Sequence, residues 1–309
     1  MDGEMSSPRE SSALRYAAFT STPDGGNPAG IVLAAQRLSD AAMLAIAAEI
    51  GFSETAFVVG GDPAERALTL RYFTPVAEIP FCGHATIATA VALAQRHGPG
   101  PFRFRTPAGP IVIDTTEVDG RIRAAFTSVE PWVVAMPAGI LVELTGLLGL
   151  TAEDLHPDYP PAISFAGNRH PILVLADQDR LDRFTFDPDL LRALMDREDW
   201  AGTVTVAVPR GPMEFESRNP FPVGTITEDP ATGSAAASLG AYLRHLGRLR
   251  LPATVLIHQG RHVGRPSLLT VDIPASGGIR VSGEAVPMAA AAGAAGLTSR
   301  LRASRATGR

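Results

Sequence analysis

Two segments of the chain lack acidic and basic residues, apart from His84, over about three helical turns. They run over 82–94 and 232–243 and consist mainly of alanine, threonine, serine and glycine. A helix that is apolar on every side is normally buried on all sides, and both segments are far too short to cross a bilayer. Because small side chains let the surrounding backbone approach closely, the pattern predicts two buried helices, each enclosed by a sheet or a barrel.

The two segments are spaced as in a duplicated unit. Each has a glycine at its beginning, and Gly83 and Gly233 lie 150 positions apart, about half of the 309-residue chain. Aligning these glycines pairs His84 with Ser234. The match indicates two similar halves, although alanine-rich segments also match by chance.

The beginning of each predicted helix is a candidate anion site. The first turn of a helix has N–H groups without intrahelical partners and a partial positive charge. Small residues around Gly83 and Gly233 leave these groups open to a carboxylate or a phosphate, and two such starts facing one cleft would also stabilise an enolate. The alternative is two core helices with ordinary caps, and the spacing alone does not separate the two interpretations.

Three side chains near these segments are candidates for proton transfer. Glu54 precedes an apolar strand pattern, where partial burial suits a carboxyl group to acid/base work; the alternative is a glutamate facing water. Asp229 is either a helix cap or a ligand for a substrate amine or hydroxyl. His84 is hard to protonate at a helix start, so it is a hydrogen-bond partner, a proton relay or a purely structural residue.

Composition excludes several classes of protein. A net charge of −5 gives no basic surface for nucleic acid. A single cysteine, Cys82, excludes an internal disulfide and a CxxC site. The chain has no run of 18 uncharged apolar residues and no apolar signal core near its beginning. We therefore expect a cytoplasmic protein that does not contact membranes. Motifs of serine hydrolases, zincins and nucleotide-binding loops are also absent.

The chain is expected to begin with a flexible segment of about 12 residues and to end with a tail that contains four arginines. Short strands and a few helices lie between these two segments. Ser39 is expected to cap a helix over 40–50, and Asp119-Gly120 is expected to turn a hairpin over 110–126. Further helices are predicted at 139–148 and 189–195, and a crossover between halves at 131–137. Strands are predicted at 14–19, 30–34, 54–59, 67–73, 162–165, 172–175, 203–208, 254–258 and 268–273. The tail arginines are Arg300, Arg302, Arg305 and Arg309.

Several ordered motifs resemble the PhzF family, which shares the diaminopimelate epimerase-like fold. The resemblance spans about residues 14–288 and implies an α+β protein with two similar lobes, each a β-barrel-like sheet wrapped around a central helix. We place the lobes at 1–130 and 131–288, with the last strand returning to the first lobe and a flexible tail over 289–309. The matching motifs are GNPA at 26–29, FSETAFV at 52–58, FTP at 73–75 with Glu78, CGHAT at 82–86, EDPATGSA at 228–235 and GRPS at 264–267.

The resemblance also implies a function. Phenazine-making members isomerise trans-2,3-dihydro-3-hydroxyanthranilate, and a glutamate that matches Glu54 shuttles the proton. Helix-start amides bind the substrate carboxylate, members are typically homodimers, and neither a metal nor an organic cofactor is implied. The residues that match those around the substrate are Gly83, His84, Asp229, Gly233 and Ser234.

The related epimerases place one cysteine at each helix start. Here the first position is Cys82, whose thiol pKa a helix start would lower, but the second matches Thr232, a hydroxyl too weakly acidic to be a base. One-base isomerisation through Glu54 is therefore favoured. Cys82 and His84, two residues apart on one turn, are not expected to face each other. Two alternatives stay open: an epimerase or lyase acting on an amino or hydroxy acid in the same pocket, and a non-catalytic dimeric ligand-binding protein.

Overall fold

The computed structural model describes residues 13–223 and 226–289. The predicted lead-in over 1–12 and the arginine-dotted tail beyond 289 lie outside this part of the chain. The described residues form six α-helices: α1 Asp40–Ile50, α2 Gly83–His97, α3 Ala138–Leu147, α4 Gln178–Arg183, α5 Pro188–Arg197 and α6 Gly233–His245. They also form sixteen strands: β1 Leu14–Ala18, β2 Asn27–Val32, β3 Glu54–Asp62, β4 Ala67–Phe73, β5 Glu78–Ile79, β6 Phe102–Thr106, β7 Gly109–Val118, β8 Arg121–Thr127, β9 Trp132–Ala135, β10 Ala162–Phe165, β11 Arg169–Val174, β12 Thr205–Gly211, β13 Glu214–Arg218, β14 Ala253–Gln259, β15 Ser267–Ile273 and β16 Arg280–Pro287.

The strands make one continuous hydrogen-bonded sheet whose first half closes on itself. The order β1-β2-β3-β4-β6-β7-β8-β16 returns to β1, where Ala17 pairs with Val286, so these eight strands form a barrel. Strand β16 also pairs with β15, and the sheet continues through β14, β13, β12, β11 and β10 to β9. The last strand of the chain is therefore shared by both halves.

Each half of the sheet encloses one of the two predicted central helices. Helix α2 packs against β1, β2, β3, β7, β8 and β16, and all eleven residues over 84–94 are buried. Helix α6 packs against β9, β10, β11, β15 and β16, and the nine residues over 235–243 are buried. This confirms the α+β architecture, in which each half of the sheet is wrapped around a central helix. No helix in the described part of the chain is long and apolar enough to span a membrane.

Local sequence signals account for several of the connections. The Ser39 hydroxyl accepts a hydrogen bond from the Ala42 N–H at 3.2 Å, which starts α1 where the sequence predicts it. Asp119 and Gly120 have φ angles of 52° and 72° between β7 and β8. Positive φ at both positions is what a two-residue hairpin turn requires. The predicted helices at 139–148 and 189–195 are confirmed as α3 and α5.

Several elements differ from the sequence prediction, which also omitted the strands β5, β6 and β13. The segment 131–137, predicted as a crossover without regular structure, contains β9, which pairs antiparallel with β10. The Trp132 ring stacks on Phe165 of β10 with centroids 5.3 Å apart, a contact that no local pattern reveals. Pro131 and Pro137 flank the strand, because proline cannot donate to the ladder. Helix α4 was not predicted, since its six residues are too few to show an apolar period.

We predict that Ala88→Leu destabilises the protein, because Ala88 is fully buried in α2 and a larger side chain there has to displace the barrel wall. The free energy of unfolding, measured by urea titration, should fall by about 1–3 kcal/mol. Ala45→Leu on the exposed side of α1 is the matched control and should change it by less than about 0.5 kcal/mol. Equal effects of the two substitutions would contradict the tight enclosure of α2.

Candidate active site

A cavity of about 490 Å³ lies where the two central helices begin. Gly83 and His84 of α2 and Gly233 and Ser234 of α6 line it, together with Asp229. The two helix starts therefore face one cleft, and its volume is in the range of small-molecule sites. The close meeting of the halves needs a glycine at the start of α6, because a Cβ atom on Gly233 would lie 2.9 Å from Cε1 of Phe126 in β8.

Both helix starts are open to a ligand. The N-cap residues are Cys82 for α2 and Thr232 for α6, both have extended backbones, and neither makes a side-chain capping bond. The first-turn N–H groups are therefore not occupied by caps and can bind an anion. This contradicts the alternative of two core helices with ordinary caps.

Asp229 does not cap α6, contrary to one of the two sequence interpretations. Its Oδ1 accepts a hydrogen bond from Asn27 Nδ2 at 2.7 Å, and its Oδ2 accepts one from the Thr232 hydroxyl at 2.5 Å. Burial raises the pKa of Asp229 to about 6, and Glu54 adds to this effect while a charge on His84 and these hydrogen bonds oppose it. The carboxyl group can therefore exchange a proton near neutral pH.

Glu54 lies at the start of β3 beside His84 and not in the cavity wall. Its Oε2 is 3.4 Å from His84 Nε2, and the glutamate side chain is 19% exposed. His84 itself lines the cavity. The imidazole therefore joins the Glu54 carboxylate to the space where a substrate would bind.

Cys82 faces His84, which the sequence analysis did not expect. Its Sγ is 3.4 Å from His84 Nδ1. Burial raises the pKa of the Cys82 thiol well above its ordinary value, and the neighbouring Glu54 carboxylate raises it further. The expectation that the helix start lowers this pKa is wrong, because desolvation outweighs the helix dipole here. The thiol stays protonated at neutral pH and is not a base.

Two groups of side chains in the described part of the chain have metal-ligand spacing. The ligand atoms of Glu54, Cys82 and His84 lie within 4.8 Å of one another, and those of Asp182, Glu216 and His262 form a second such group. In the second group, the Arg261 guanidinium lies 2.6 Å from each of the two carboxylates and already neutralises them. In the first, a metal has to displace the thiol proton. That the reaction needs no metal stays a prediction.

Sequence reasoning missed three residues that support the site. Asn27 lies in the GNPA motif, which was matched without a role, and it holds the Asp229 carboxylate. Gln259 Nε2 donates to the Asp229 carbonyl at 2.7 Å and to the Thr232 hydroxyl at 3.0 Å. His170 is fully buried, with Nε2 3.0 Å from Ser234 Oγ. No local pattern marks Gln259 or His170, because both act through contacts far along the chain.

Relatives of the chain are named as isomerases. An uncharacterized isomerase of Bacillus subtilis, YfhB, is 32% identical over 288 residues, which cover 90% of this chain and 97% of that protein. The trans-2,3-dihydro-3-hydroxyanthranilate isomerase of Pseudomonas fluorescens is 34% identical over 256 residues, 82% of this chain and 86% of that one. The protein is thus an isomerase. It belongs to the PhzC-PhzF family of phenazine biosynthesis-like proteins, whose model matches residues 16–291.

Solved structures agree with this assignment. A Bacillus anthracis phenazine biosynthesis protein of the PhzF family superposes with a TM-score of 0.80 at 26% identity, covering 90% of this chain and 96% of that one. A hydroxyproline epimerase from Agrobacterium vitis superposes with a TM-score of 0.57 at 12% identity, over 90% of each chain. The second likeness concerns the fold alone. The resemblance noted in the sequence is confirmed.

The pKa of Asp229 predicts a pH-dependent term in stability. The carboxyl group binds its proton more tightly when folded, with a pKa of about 6, than in the unfolded chain, about 3.9. Its contribution to stability is therefore present below about pH 4 and is lost as the pH rises through about 6. Relative to Asp229→Asn, the wild type should lose about 2 kcal/mol of unfolding free energy over this range.

Urea titrations between about pH 4 and pH 7 measure this difference. The exposed Asp24→Asn is the matched control and should show no such pH-dependent difference from the wild type. A wild type that gains stability relative to Asp229→Asn as the pH rises would contradict the predicted direction.

Proposed function

We propose that the protein is a cofactor-independent isomerase that moves a proton by a 1,3-shift within a small carboxylate substrate, with Glu54 as the general acid/base. The observation that carries the proposal is the meeting of two uncapped helix starts at one cavity, with His84 in the cavity wall and Glu54 behind His84. Anion binding and proton transfer then occur at adjacent points of one site.

The substrate carboxylate binds to first-turn N–H groups of α2 and α6 in this proposal. Gly83 and Gly233 carry no side chain that would keep an anion away from these amides. A carboxylate held there also places the carbon next to it in the field of two helix dipoles, which stabilises negative charge as a proton leaves. Binding and activation of the substrate therefore share the same groups.

Proton transfer uses the side chains between the two helix starts. Glu54 takes the proton from one carbon and returns it to another by way of His84, whose imidazole lines the cavity and whose Nε2 lies 3.4 Å from Glu54 Oε2. Asp229 binds an amine or hydroxyl of the substrate, held in place by Asn27 and Thr232. Acid/base catalysis of this kind typically contributes about 10²- to 10⁴-fold in rate.

Two features favour a single base over epimerisation by two bases. The Thr232 hydroxyl donates its hydrogen to Asp229. It is far too weakly acidic to lose that hydrogen and become a base that could take a proton from carbon. The Cys82 thiol, at the equivalent position of the other helix, is held in its neutral form by burial. The stereochemistry of the product distinguishes the two reactions, since inversion at an otherwise unchanged centre would indicate an epimerase.

The cytoplasmic location and the homodimer that the family resemblance implies belong to the same proposal. Light scattering of the purified chain tests the second part, and a mass about twice the 32.4 kDa of one chain is the expected result. A mass of one chain at all concentrations would reject the dimer and leave the proposed chemistry unaffected.

We predict that Glu54→Gln abolishes incorporation of solvent deuterium into the substrate while binding stays within about threefold of the wild type. The amide keeps the size of the carboxylate but cannot accept a proton, so the rate should fall at least about 10²-fold. Trans-2,3-dihydro-3-hydroxyanthranilate is the first substrate to test, and deuterium NMR measures the exchange. The exposed Glu49→Gln is the matched control and should retain full activity.

A broader screen identifies other substrates. Small carboxylates that raise the melting temperature in a thermal-shift assay are then tested for deuterium exchange. Full exchange in Glu54→Gln would eliminate the proposed base, and ligands that bind without any exchange in the wild type would favour a binding protein.

A further inference from the structure

His170 lies beneath the start of α6 and has no part in the proton transfer proposed above. It is fully buried in β11, and both of its ring nitrogens have partners. Its Nδ1 is 2.9 Å from the Thr203 carbonyl oxygen, and its Nε2 is 3.0 Å from Ser234 Oγ. Ser234 in turn lines the cavity. The imidazole is thus one step behind a residue that would touch a substrate.

The contact with Thr203 determines which nitrogen carries the proton. A carbonyl oxygen only accepts hydrogen bonds, so Nδ1 is the protonated nitrogen. In a neutral imidazole, Nε2 then has a lone pair and accepts the hydrogen of the Ser234 hydroxyl. Burial lowers the pKa of His170 to about 4, so the ring is neutral at physiological pH.

Packing and further hydrogen bonds hold the ring in this orientation. A Cβ atom on Gly202 would lie 2.5 Å from Cε1 of the imidazole, so only glycine leaves room for it. The Thr203 hydroxyl accepts a hydrogen bond from Asn219 Nδ2 at 2.8 Å, and the Asn219 carbonyl accepts one from the Asp229 N–H at 3.0 Å. One buried network therefore supports both Ser234 and Asp229.

We propose that His170 is a positioning residue that takes the only hydroxyl hydrogen of Ser234, so that Ser234 presents lone pairs alone to the cavity. Such an oxygen repels a carboxylate and binds a hydrogen-bond donor. The site then selects carboxylates that carry an amine or hydroxyl group near the acid, while the helix-start amides bind the carboxylate itself. This selectivity deepens the proposed function and rests on it for the position of the carboxylate.

The tautomer of His170 is measured first, in the full-length ¹⁵N-labelled protein without ligand. Long-range proton–nitrogen NMR distinguishes a protonated Nδ1 from a protonated Nε2, and the spectrum of His170→Gln assigns the signals by their loss. The expected result is a neutral ring with the hydrogen on Nδ1. A hydrogen on Nε2 overturns the proposal whatever the protein binds, and it leaves the role of Glu54 untouched.

Two aromatic acids then test the selectivity. Benzoate carries the carboxylate alone, and 3-hydroxyanthranilate adds an amine and a hydroxyl group. Ser234→Ala should weaken binding of 3-hydroxyanthranilate about tenfold, the effect of one lost hydrogen bond, and leave benzoate within about twofold. If the substitution weakens both acids equally, Ser234 donates to the carboxylate and the proposal is wrong.

A pair of substitutions at 170 separates positioning from simple packing. Gln places an amide oxygen near the position of Nε2 and can still accept from Ser234, whereas the shorter Asn reaches only the position of Nδ1. We expect His170→Gln to keep the preference for 3-hydroxyanthranilate within about threefold and His170→Asn to lose it about tenfold. Urea titrations confirm that both variants fold.

The double variant that combines Ser234→Ala with His170→Asn completes a double-mutant cycle for the affinity of 3-hydroxyanthranilate. If His170 acts through Ser234, the second substitution adds no further loss of 3-hydroxyanthranilate affinity. If His170 had a purely structural role, His170→Gln and His170→Asn would both weaken the binding of both acids. The loss from His170→Asn would then add to that from Ser234→Ala in the double variant, and this result would overturn the proposal. Deuterium exchange in Glu54→Gln, measured separately, shows whether the proposed reaction itself has failed.

Discussion

The enclosure in one sheet of two helices that carry arginine only in their last turns is the constraint on which the rest of the structure depends. Inside α2 and α6 the backbone groups bond to one another, so the apolar interior contains few open polar groups. The first-turn N–H groups are the exception, because no residue of the helix can satisfy them. Since Cys82 and Thr232 do not cap them either, the unsatisfied donors concentrate where the two helices begin, and the cavity lies at that point.

The site belongs to both halves of the chain. Strand β16 pairs with β8 along one edge and with β15 and β1 along the other, which fixes the two halves of the sheet relative to each other. Asn27 of β2 donates to Asp229, 202 positions away along the chain, and Gly233 packs against Phe126. A binding site assembled from both halves needs such direct contacts, because an error of about 1 Å in the relative position of reacting groups costs much of the rate.

Desolvation explains the titration behaviour of three groups around the cavity. It raises the pKa values of Asp229 and Cys82 and lowers that of His170, so each group shifts toward its neutral form. The consequences differ with the chemistry. Asp229 becomes able to exchange a proton near neutral pH, Cys82 is removed as a base, and His170 becomes a fixed acceptor for the Ser234 hydroxyl.

The sequence by itself determined the two buried helices, the turn at Asp119-Gly120 and the motifs that mark the family, because these depend on short-range pattern and composition. Through the family resemblance it also identified five of the residues that line the cavity: Gly83, His84, Asp229, Gly233 and Ser234. Only the tertiary structure decided that 131–137 contains a strand, that Cys82 is neutral, and that His170 supports Ser234. The physical reason is that burial and long-range hydrogen bonds depend on neighbours in space, which lie tens to hundreds of positions apart in the chain.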